Sequence, residues 1–179
     1  MQSSNFIKVY DNVLSSENCQ KVIDIYEKNA SSVEKHDTEG YKFNQLNLRS
    51  NKELLGLENA FIGSLMPLYK SYFETVGMSR YVNLNAYEEI RIKKYRKGSD
   101  DEFKTHVDVT NASSAVRYAI AIMYLNDNNG FTEFPDLGII VKPSPGRVVM
   151  FPPFWMFPHR GVTPTDNDKY IMMSCLHYT

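Results

Sequence analysis

The fold of this chain is decided by GRVVMFPPFWMFPHRGV at residues 146–162 and by KYIMMSCLHYT at residues 169–179. A glycine opens the first stretch, an apolar strand follows it, and prolines separate that strand from His159. The second stretch is an apolar strand that begins with Lys169. Both strands belong to a series of short strands in the C-terminal half, and such a series indicates a β-sandwich or barrel.

The series of strands begins after Gly77, where short β-rich runs alternate with turn residues. The predicted strands are residues 87–95, 116–125, 138–142, 147–151 and 169–178. Before Gly77 the apolar spacing is helical and predicts one helix over 16–29 and another over 51–75. Ser15 or Ser16 would cap the first helix, and Pro67 would kink or split the second.

Helices followed by strands indicate an α+β chain. We predict a single domain over residues 1–179, with a helical support region at 1–80 and a core at 81–179. The core is expected to be a jelly roll, which is a double-stranded β-helix, with the N-terminal helices packed against one of its sheets. A jelly roll would also bring His106 and His159 to one mouth of the barrel.

Bulk composition excludes some classes of protein. The 179 residues have a net charge of −1, which offers no electrostatic basis for binding nucleic acid or an anionic membrane. The apolar residues 148–158 form a stretch that is short and interrupted by prolines, so no membrane span is expected. Residues 1–5 lack the layout of a signal peptide. Cys19 and Cys175 are far apart and neither has a CxxC partner, so we expect no disulfide and a cytoplasmic protein.

A candidate metal site is formed by His106 and Asp108 together with His159. These are the ligand types of the 2-His-1-carboxylate site that holds non-haem Fe(II), although Mn, Co or Ni suits the same donors. Residues i and i+2 of a strand share one face, so His106 and Asp108 at a strand end can point to the same side. The H-x-D tripeptide alone is a weak signal, because such tripeptides are common on protein surfaces.

Lys169 lies at the start of the last strand and shares a face with Ile171 and Met173. A cation on an apolar face is costly unless it is paired, and a bound organic carboxylate would provide the pair. Alternatively, Lys169 is the solvated first residue of an edge strand. Position alone does not choose between these two interpretations.

Other polar and aromatic residues near these motifs are ambiguous. Arg91 and Lys93 share a strand face with Tyr95. Either a bulge near Lys94 changes which residues point to each face of the strand, or two cations line a cleft, and we favour the bulge. Arg160 is expected to point to solvent. The residues expected to be aromatic core are Phe154, Trp155 and Phe157. The histidines expected to be structural or exposed are His36 and His177.

Ordered motifs along nearly the whole chain are similar to those of one enzyme family. They are FIKVYDNVLSSENC at 6–19, Arg49-Ser50, Tyr95 and Gly98 before the H-x-D pair, Tyr124-Leu125-Asn126, residues 130–135, and Pro143, Gly146, Phe151 and Pro152 before His159. With these motifs the chain resembles the Fe(II)/2-oxoglutarate-dependent dioxygenases, specifically their prolyl 4-hydroxylase-like branch. It departs from the family pattern at Asn129, where a second glycine is frequent.

The resemblance implies roles for six residues. The metal ligands would be His106, Asp108 and His159, and the residues that bind the cosubstrate would be Lys169, Tyr124 and Tyr95. Lys169 would pair with the far carboxylate of 2-oxoglutarate, Tyr124 would add a hydroxyl to the same carboxylate, and Tyr95 would line the pocket. The implied cofactors are Fe(II), 2-oxoglutarate and O₂, with ascorbate as an optional addition.

The implied reaction is hydroxylation of an unactivated C–H bond, and a prolyl residue of a peptide or protein is the first choice of substrate. A free amino acid or another side chain is the alternative substrate, because one fold hosts many substrates. A non-catalytic jelly-roll binding domain is the alternative of a different class. No nucleic acid or membrane partner is expected.

Overall fold

A computed structural model describes residues 3–82 and 86–179 of the chain. Within these ranges the α-helices are α1 (Ser16–Lys28) and α2 (Leu55–Thr75). The strands, β1 to β11 in chain order, are Lys8–Tyr10, Glu34–Asp37, Lys42–Asn47, Arg91–Tyr95, Phe103–His106, Arg117–Tyr124, Thr132–Phe134, Ile139–Val141, Val148–Phe151, His159–Gly161 and Lys169–His177. No helix in the described ranges is both long and apolar enough to cross a membrane.

The strands form two antiparallel sheets. The large sheet has the order β1-β9-β6-β11-β4-β3-β2, and the small sheet has the order β5-β10-β7-β8. Strand β11 therefore lies in the middle of the seven-stranded sheet, with β6 on one side and β4 on the other. The mixed helix and strand composition agrees with the predicted α+β class.

Each face of the large sheet covers a separate apolar core. One face packs against α1 and α2, and alternate residues of β6 such as Ala121 and Met123 point toward these helices. The other face meets the small sheet, and here Ile120 and Ile122 of β6 lie in the same cluster as Phe134 of β7. Because successive strand residues point to opposite faces, one strand supplies both cores. The predicted packing of the N-terminal helices against one sheet is thus observed.

Both helices begin and end close to the predicted positions. The side chain of Ser15 accepts a hydrogen bond from the backbone N–H of Asn18 and caps α1. The predicted apolar face of α1 is buried, and its residues are Cys19, Val22, Ile23 and Tyr26. Helix α2 continues through Pro67, so of the two predicted effects, a kink or a split, the split does not occur. Pro67 is exposed, and water can therefore satisfy the carbonyl group that loses its helical partner.

The region 1–80 is not purely helical, because β1, β2 and β3 lie in it and join the large sheet. Strand β2 is the polar sequence EKHD at the sheet edge, so it carries no apolar alternation that would predict a strand. The five predicted strands of the C-terminal half are present, although β4 begins at Arg91 rather than at residue 87.

Candidate metal centre and its pocket

The two histidines of the candidate metal site lie directly opposite each other. His106 ends β5, His159 begins β10, and the two residues are register partners in the small sheet. The loop after β5 carries Asp108, whose backbone N–H donates to the carbonyl of Pro153 at 3.2 Å. A contact with the segment that follows β9 thus holds the carboxylate beside the histidine pair.

The ligand atoms of this triad, His106, Asp108 and His159, all lie within 4.8 Å of one another. Nε2 of His106 is 3.7 Å from Oδ1 of Asp108, and Nε2 of His159 is 3.6 Å from Oδ2. Each Nδ1–H donates to a backbone carbonyl two residues earlier, that of Lys104 at 2.8 Å and that of Phe157 at 3.1 Å. These bonds leave the Nε2 lone pairs directed at the centre, as in metal-binding histidines.

The electrostatics of the triad suit a cation. Burial lowers the pKa of His159 to about 4, although Asp108 acts in the opposite direction, so the imidazole stays neutral. Burial by itself raises the pKa of Asp108, but His106, His159 and Lys93 outweigh it and hold the pKa below its usual range. Oδ2 of Asp108 is buried and accepts no hydrogen bond from any described residue. Two imidazole nitrogens and one carboxylate oxygen without a hydrogen-bond donor fit a divalent metal.

Lys169 is fully enclosed next to the triad. It is 1% exposed, and burial lowers the pKa of its ammonium group to about 7. Its Nζ lies 5.2 Å from the centroid of the Tyr95 ring, and Tyr95 is its register partner on β4. Among residues 3–82 and 86–179 no acceptor forms a hydrogen bond or ion pair with this nitrogen. The solvated edge-strand interpretation is wrong, because β11 is a central strand.

A pocket that is partly open to solvent joins the triad to Lys169. Its apolar wall includes Ile120, Ile122 and Ile171, and its lining also includes Tyr95, Thr132 and Gly161. A Cβ placed on Gly161 would lie 3.7 Å from Nζ of Lys169, so the absence of a side chain leaves room beside the ammonium group. The buried ammonium group of Lys169, the hydroxyl of Thr132 in the same lining and this space fit a carboxylate of a dicarboxylic cosubstrate.

The structure places Tyr95 in the pocket but Tyr124 outside its lining. Tyr124 is fully buried, and its hydroxyl donates to Oγ1 of Thr132 at 2.6 Å. Thr132 does line the pocket, so it is a site residue to which we gave no role from the sequence. Its position in the motif over residues 130–135 was the available signal.

No family model matches the sequence, and no curated protein matches it. Solved prolyl hydroxylases do resemble the structure. The collagen prolyl hydroxylase of Paramecium Bursaria Chlorella virus-1, in a complex with 2-oxoglutarate, has a TM-score of 0.72 and 17% identity over 97% of both chains. A Pseudomonas putida prolyl-4-hydroxylase has a TM-score of 0.75 and 14% identity, covering 98% of this chain and 94% of its own.

A third example is a Trichoplax adhaerens prolyl hydroxylase in complex with a hypoxia inducible factor peptide fragment. Its TM-score is 0.73 and its identity 16%, over 97% of this chain and 84% of its own. This chain has the prolyl hydroxylase fold. The resemblance predicted from the sequence motifs is therefore confirmed in three dimensions.

In this chain a second cleft opens beside the triad. Strand β4 pairs with β11 in continuous register, so the expected bulge near Lys94 is absent and wrong. Arg91 and Lys93 consequently point into the cleft, together with Arg117 of β6. Burial lowers the pKa of Lys93 to about 8, although Asp108 opposes the shift. The alternative of a cation-lined cleft is therefore observed.

The residues around His159 differ in their exposure. Arg160 points to the surface, as expected, and its Nε donates to Glu133 at 2.6 Å. Phe157 is buried as predicted and Phe154 is half-buried, but Trp155 is 77% exposed, so its assignment to the core is wrong. Trp155 follows two prolines in a turn, where the chain reverses and directs its ring outward.

Proposed function

We propose that the protein is an Fe(II)- and 2-oxoglutarate-dependent dioxygenase that hydroxylates an unactivated C–H bond. The proposal includes a single domain whose two sheets form a jelly-roll core. One observation carries it: the triad and a buried lysine without an acceptor among the described residues line the same pocket. A non-catalytic binding domain would have no need of either feature, because each costs folding free energy.

His106, Asp108 and His159 would bind the metal through Nε2, a carboxylate oxygen and Nε2. When both groups are bound, Fe(II) and 2-oxoglutarate would supply activation of O₂ coupled to oxidative decarboxylation of the cosubstrate to succinate and CO₂. The backbone carbonyls of Lys104 and Phe157 fix the orientation of the rings, and thus the direction of the nitrogen lone pairs.

Lys169 would hold the carboxylate of the cosubstrate that is far from the metal. The hydroxyl of Thr132 already accepts a hydrogen bond from Tyr124, so its own proton can be donated to that carboxylate. Tyr95 lies beside the ammonium group, and the isoleucine wall excludes water from the ion pair. An ion pair in such a site is stronger than one in water.

A prolyl residue of a peptide is the first choice of substrate. The resemblance to prolyl hydroxylases supports it, and one of these proteins is seen with a bound peptide fragment. A free amino acid is the alternative. The wide cleft beside the triad, open to solvent, provides room for either.

The proposal is tested first without substrate. Anaerobic protein with Fe(II) and 2-oxoglutarate should show the weak visible charge-transfer band of the metal-bound cosubstrate. The band should be absent from His106→Ala and Asp108→Ala variants. Protein with confirmed bound iron and no band would contradict the proposed binding of the cosubstrate.

The second test is catalytic and uses a library of proline-containing peptides and free amino acids, with ascorbate in the assay. Succinate release and a product heavier by one oxygen atom are expected for the correct substrate. Hydroxylated product without 2-oxoglutarate consumption would contradict the reaction type.

A further inference from the structure

Lys93 is a second buried cation of the site, and it has no role in the function proposed above. It is 6% exposed and lines both the pocket of Lys169 and the wider cleft beside it. Within residues 3–82 and 86–179, its Nζ has neither an ion-pair partner nor a hydrogen-bond acceptor. It instead lies 4.2 Å from the ring centroid of Phe43 and 5.2 Å from that of Phe103.

The other cations of the cleft are neutralised. Nε of Arg117 donates to Glu88 at 2.6 Å, and Arg91 pairs with Glu89 at 2.8 Å and with Glu88 at 3.6 Å. Lys94, the next residue of β4, points to the opposite face and pairs with Glu27 at 2.9 Å. Lys93 therefore differs from these neighbours because no carboxylate of the described residues contacts its ammonium group, and the charge of Asp108 attracts it from farther away.

The position of Lys93 separates it from the cosubstrate lysine. On β4 it lies two residues before Tyr95, the partner of Lys169, and it is itself opposite Ile171. Two residues along a strand correspond to about 6.5 Å. Lys93 consequently lies toward the open cleft, next to Phe103, which stacks on the ring of the metal-ligand candidate His106. A molecule that approaches the metal through the cleft passes this ammonium group.

We infer that Lys93 binds a carboxylate of the substrate, close to the carbon that is hydroxylated. The inference rests on the proposed function and names its substrate class, a carboxylate-bearing amino acid or peptide residue. A buried cation costs folding free energy unless a ligand compensates it. An anion in the aromatic-walled cleft would supply that compensation.

A carboxylate of this kind has two sources, which matched probes distinguish. The α-carboxylate is represented by L-proline and N-acetyl-L-proline, with their amides as uncharged controls. An acidic side chain is represented by N-acetyl-aspartic acid α-amide, with the corresponding asparagine compound as control. Protein containing ¹³Cε-lysine, Zn(II) in place of Fe(II), and 2-oxoglutarate is titrated with each probe and followed by NMR. The Lys93 signal is identified by its absence from Lys93→Met.

We expect one class of carboxylate to shift the Lys93 signal while its amide does not. Lys93→Met should weaken binding of that carboxylate by at least about tenfold in calorimetry, because a charged hydrogen bond contributes a factor of this order. Lys93→Arg should recover most of the affinity. The matched control Lys94→Met, whose ammonium group lies on the other face of β4, should retain it.

The inference is wrong if no carboxylate shifts the Lys93 signal, or if acid and amide shift it equally. It is also wrong if adding 2-oxoglutarate alone to the Zn(II) protein shifts Lys93 as strongly as Lys169, since Lys93 would then belong to the cosubstrate site. Failure of the proposed function is seen separately, as a missing charge-transfer band in the Fe(II) protein without substrate.

Discussion

His106 and His159 face each other across β5 and β10, with ring centroids 4.3 Å apart. They are more than fifty positions apart in the sequence, so the register of two short strands creates the pair. Asp108 completes the triad from the loop that follows β5. The candidate metal site is thus a product of sheet pairing and does not belong to any single segment.

Asp108→Ala and His106→Ala should each lower the affinity for Fe(II) by more than about 100-fold, because loss of outer-shell partners alone costs about 10–100-fold. Equilibrium dialysis under anaerobic conditions measures this affinity. Asp136→Ala is a suitable control, since Asp136 is exposed and distant in sequence from the triad. Unchanged affinity in both triad variants would contradict the assigned metal site.

The affinity for 2-oxoglutarate should depend on pH through Lys169. In the ligand-free protein, burial lowers the pKa of the Lys169 ammonium group to about 7. Above that pH the lysine is neutral, so binding of the carboxylate must be accompanied by proton uptake, and affinity falls by up to about tenfold per pH unit. Calorimetry between about pH 6.5 and 8.5 should show this slope. Lys169→Arg should remove the slope because arginine stays charged, and an equal slope in that variant would exclude Lys169 as its source.

Lys169→Met should stabilise the ligand-free protein, because it replaces a buried cation that has no acceptor among the described residues with an apolar side chain. A gain of about 1–4 kcal/mol in the free energy of unfolding is expected. The gain should be largest below about pH 7, where Lys169 of the folded wild-type protein is charged. At higher pH the folded wild-type protein has lost this proton while its unfolded state keeps it, so the wild type becomes more stable and the gain becomes smaller. Urea unfolding at several pH values measures it, and added 2-oxoglutarate should stabilise only the wild-type protein.

Gly161→Ala tests the space beside the ammonium group of Lys169. The added Cβ would make ordinary van der Waals contacts with Phe103 and Lys169, so the fold should tolerate it with a Tm close to that of the wild type. The methyl group would occupy the position of the carboxylate, and the KM for 2-oxoglutarate should rise by about tenfold or more. An unchanged KM would place the cosubstrate elsewhere. Gly63→Ala is a control, because nothing lies near its added Cβ.

Tyr124 should act on the cosubstrate through Thr132 rather than directly. Tyr124→Phe removes the hydroxyl that donates to Oγ1 of Thr132, and Thr132→Val removes the acceptor. Each variant should raise the KM for 2-oxoglutarate and lower stability by about 1 kcal/mol. In the double variant the effects should fall short of the sum, because the two residues form one unit. Fully additive effects on KM would instead support a direct contact of Tyr124 with the cosubstrate.

The sequence by itself determined the local elements and indicated the three candidate metal ligands. Helix α1, its cap at Ser15 and its buried face follow from spacing within thirteen residues. Strands β6, β9 and β11 are mostly apolar, which predicts them, because both of their faces are buried. The triad is predicted because the family motifs flank its three donors, since the H-x-D tripeptide alone is a weak signal.

Only the tertiary structure decided which polar residues face the pocket and which charged residues form ion pairs. Lys169 is enclosed because β11 acquires a neighbour on each side, and Lys93 lines the cleft because β4 keeps its register without a bulge. Thr132 is a site residue because it lines the pocket, where its hydroxyl accepts a hydrogen bond from Tyr124. Burial and pairing depend on residues distant in the chain, so spacing along one strand cannot determine them.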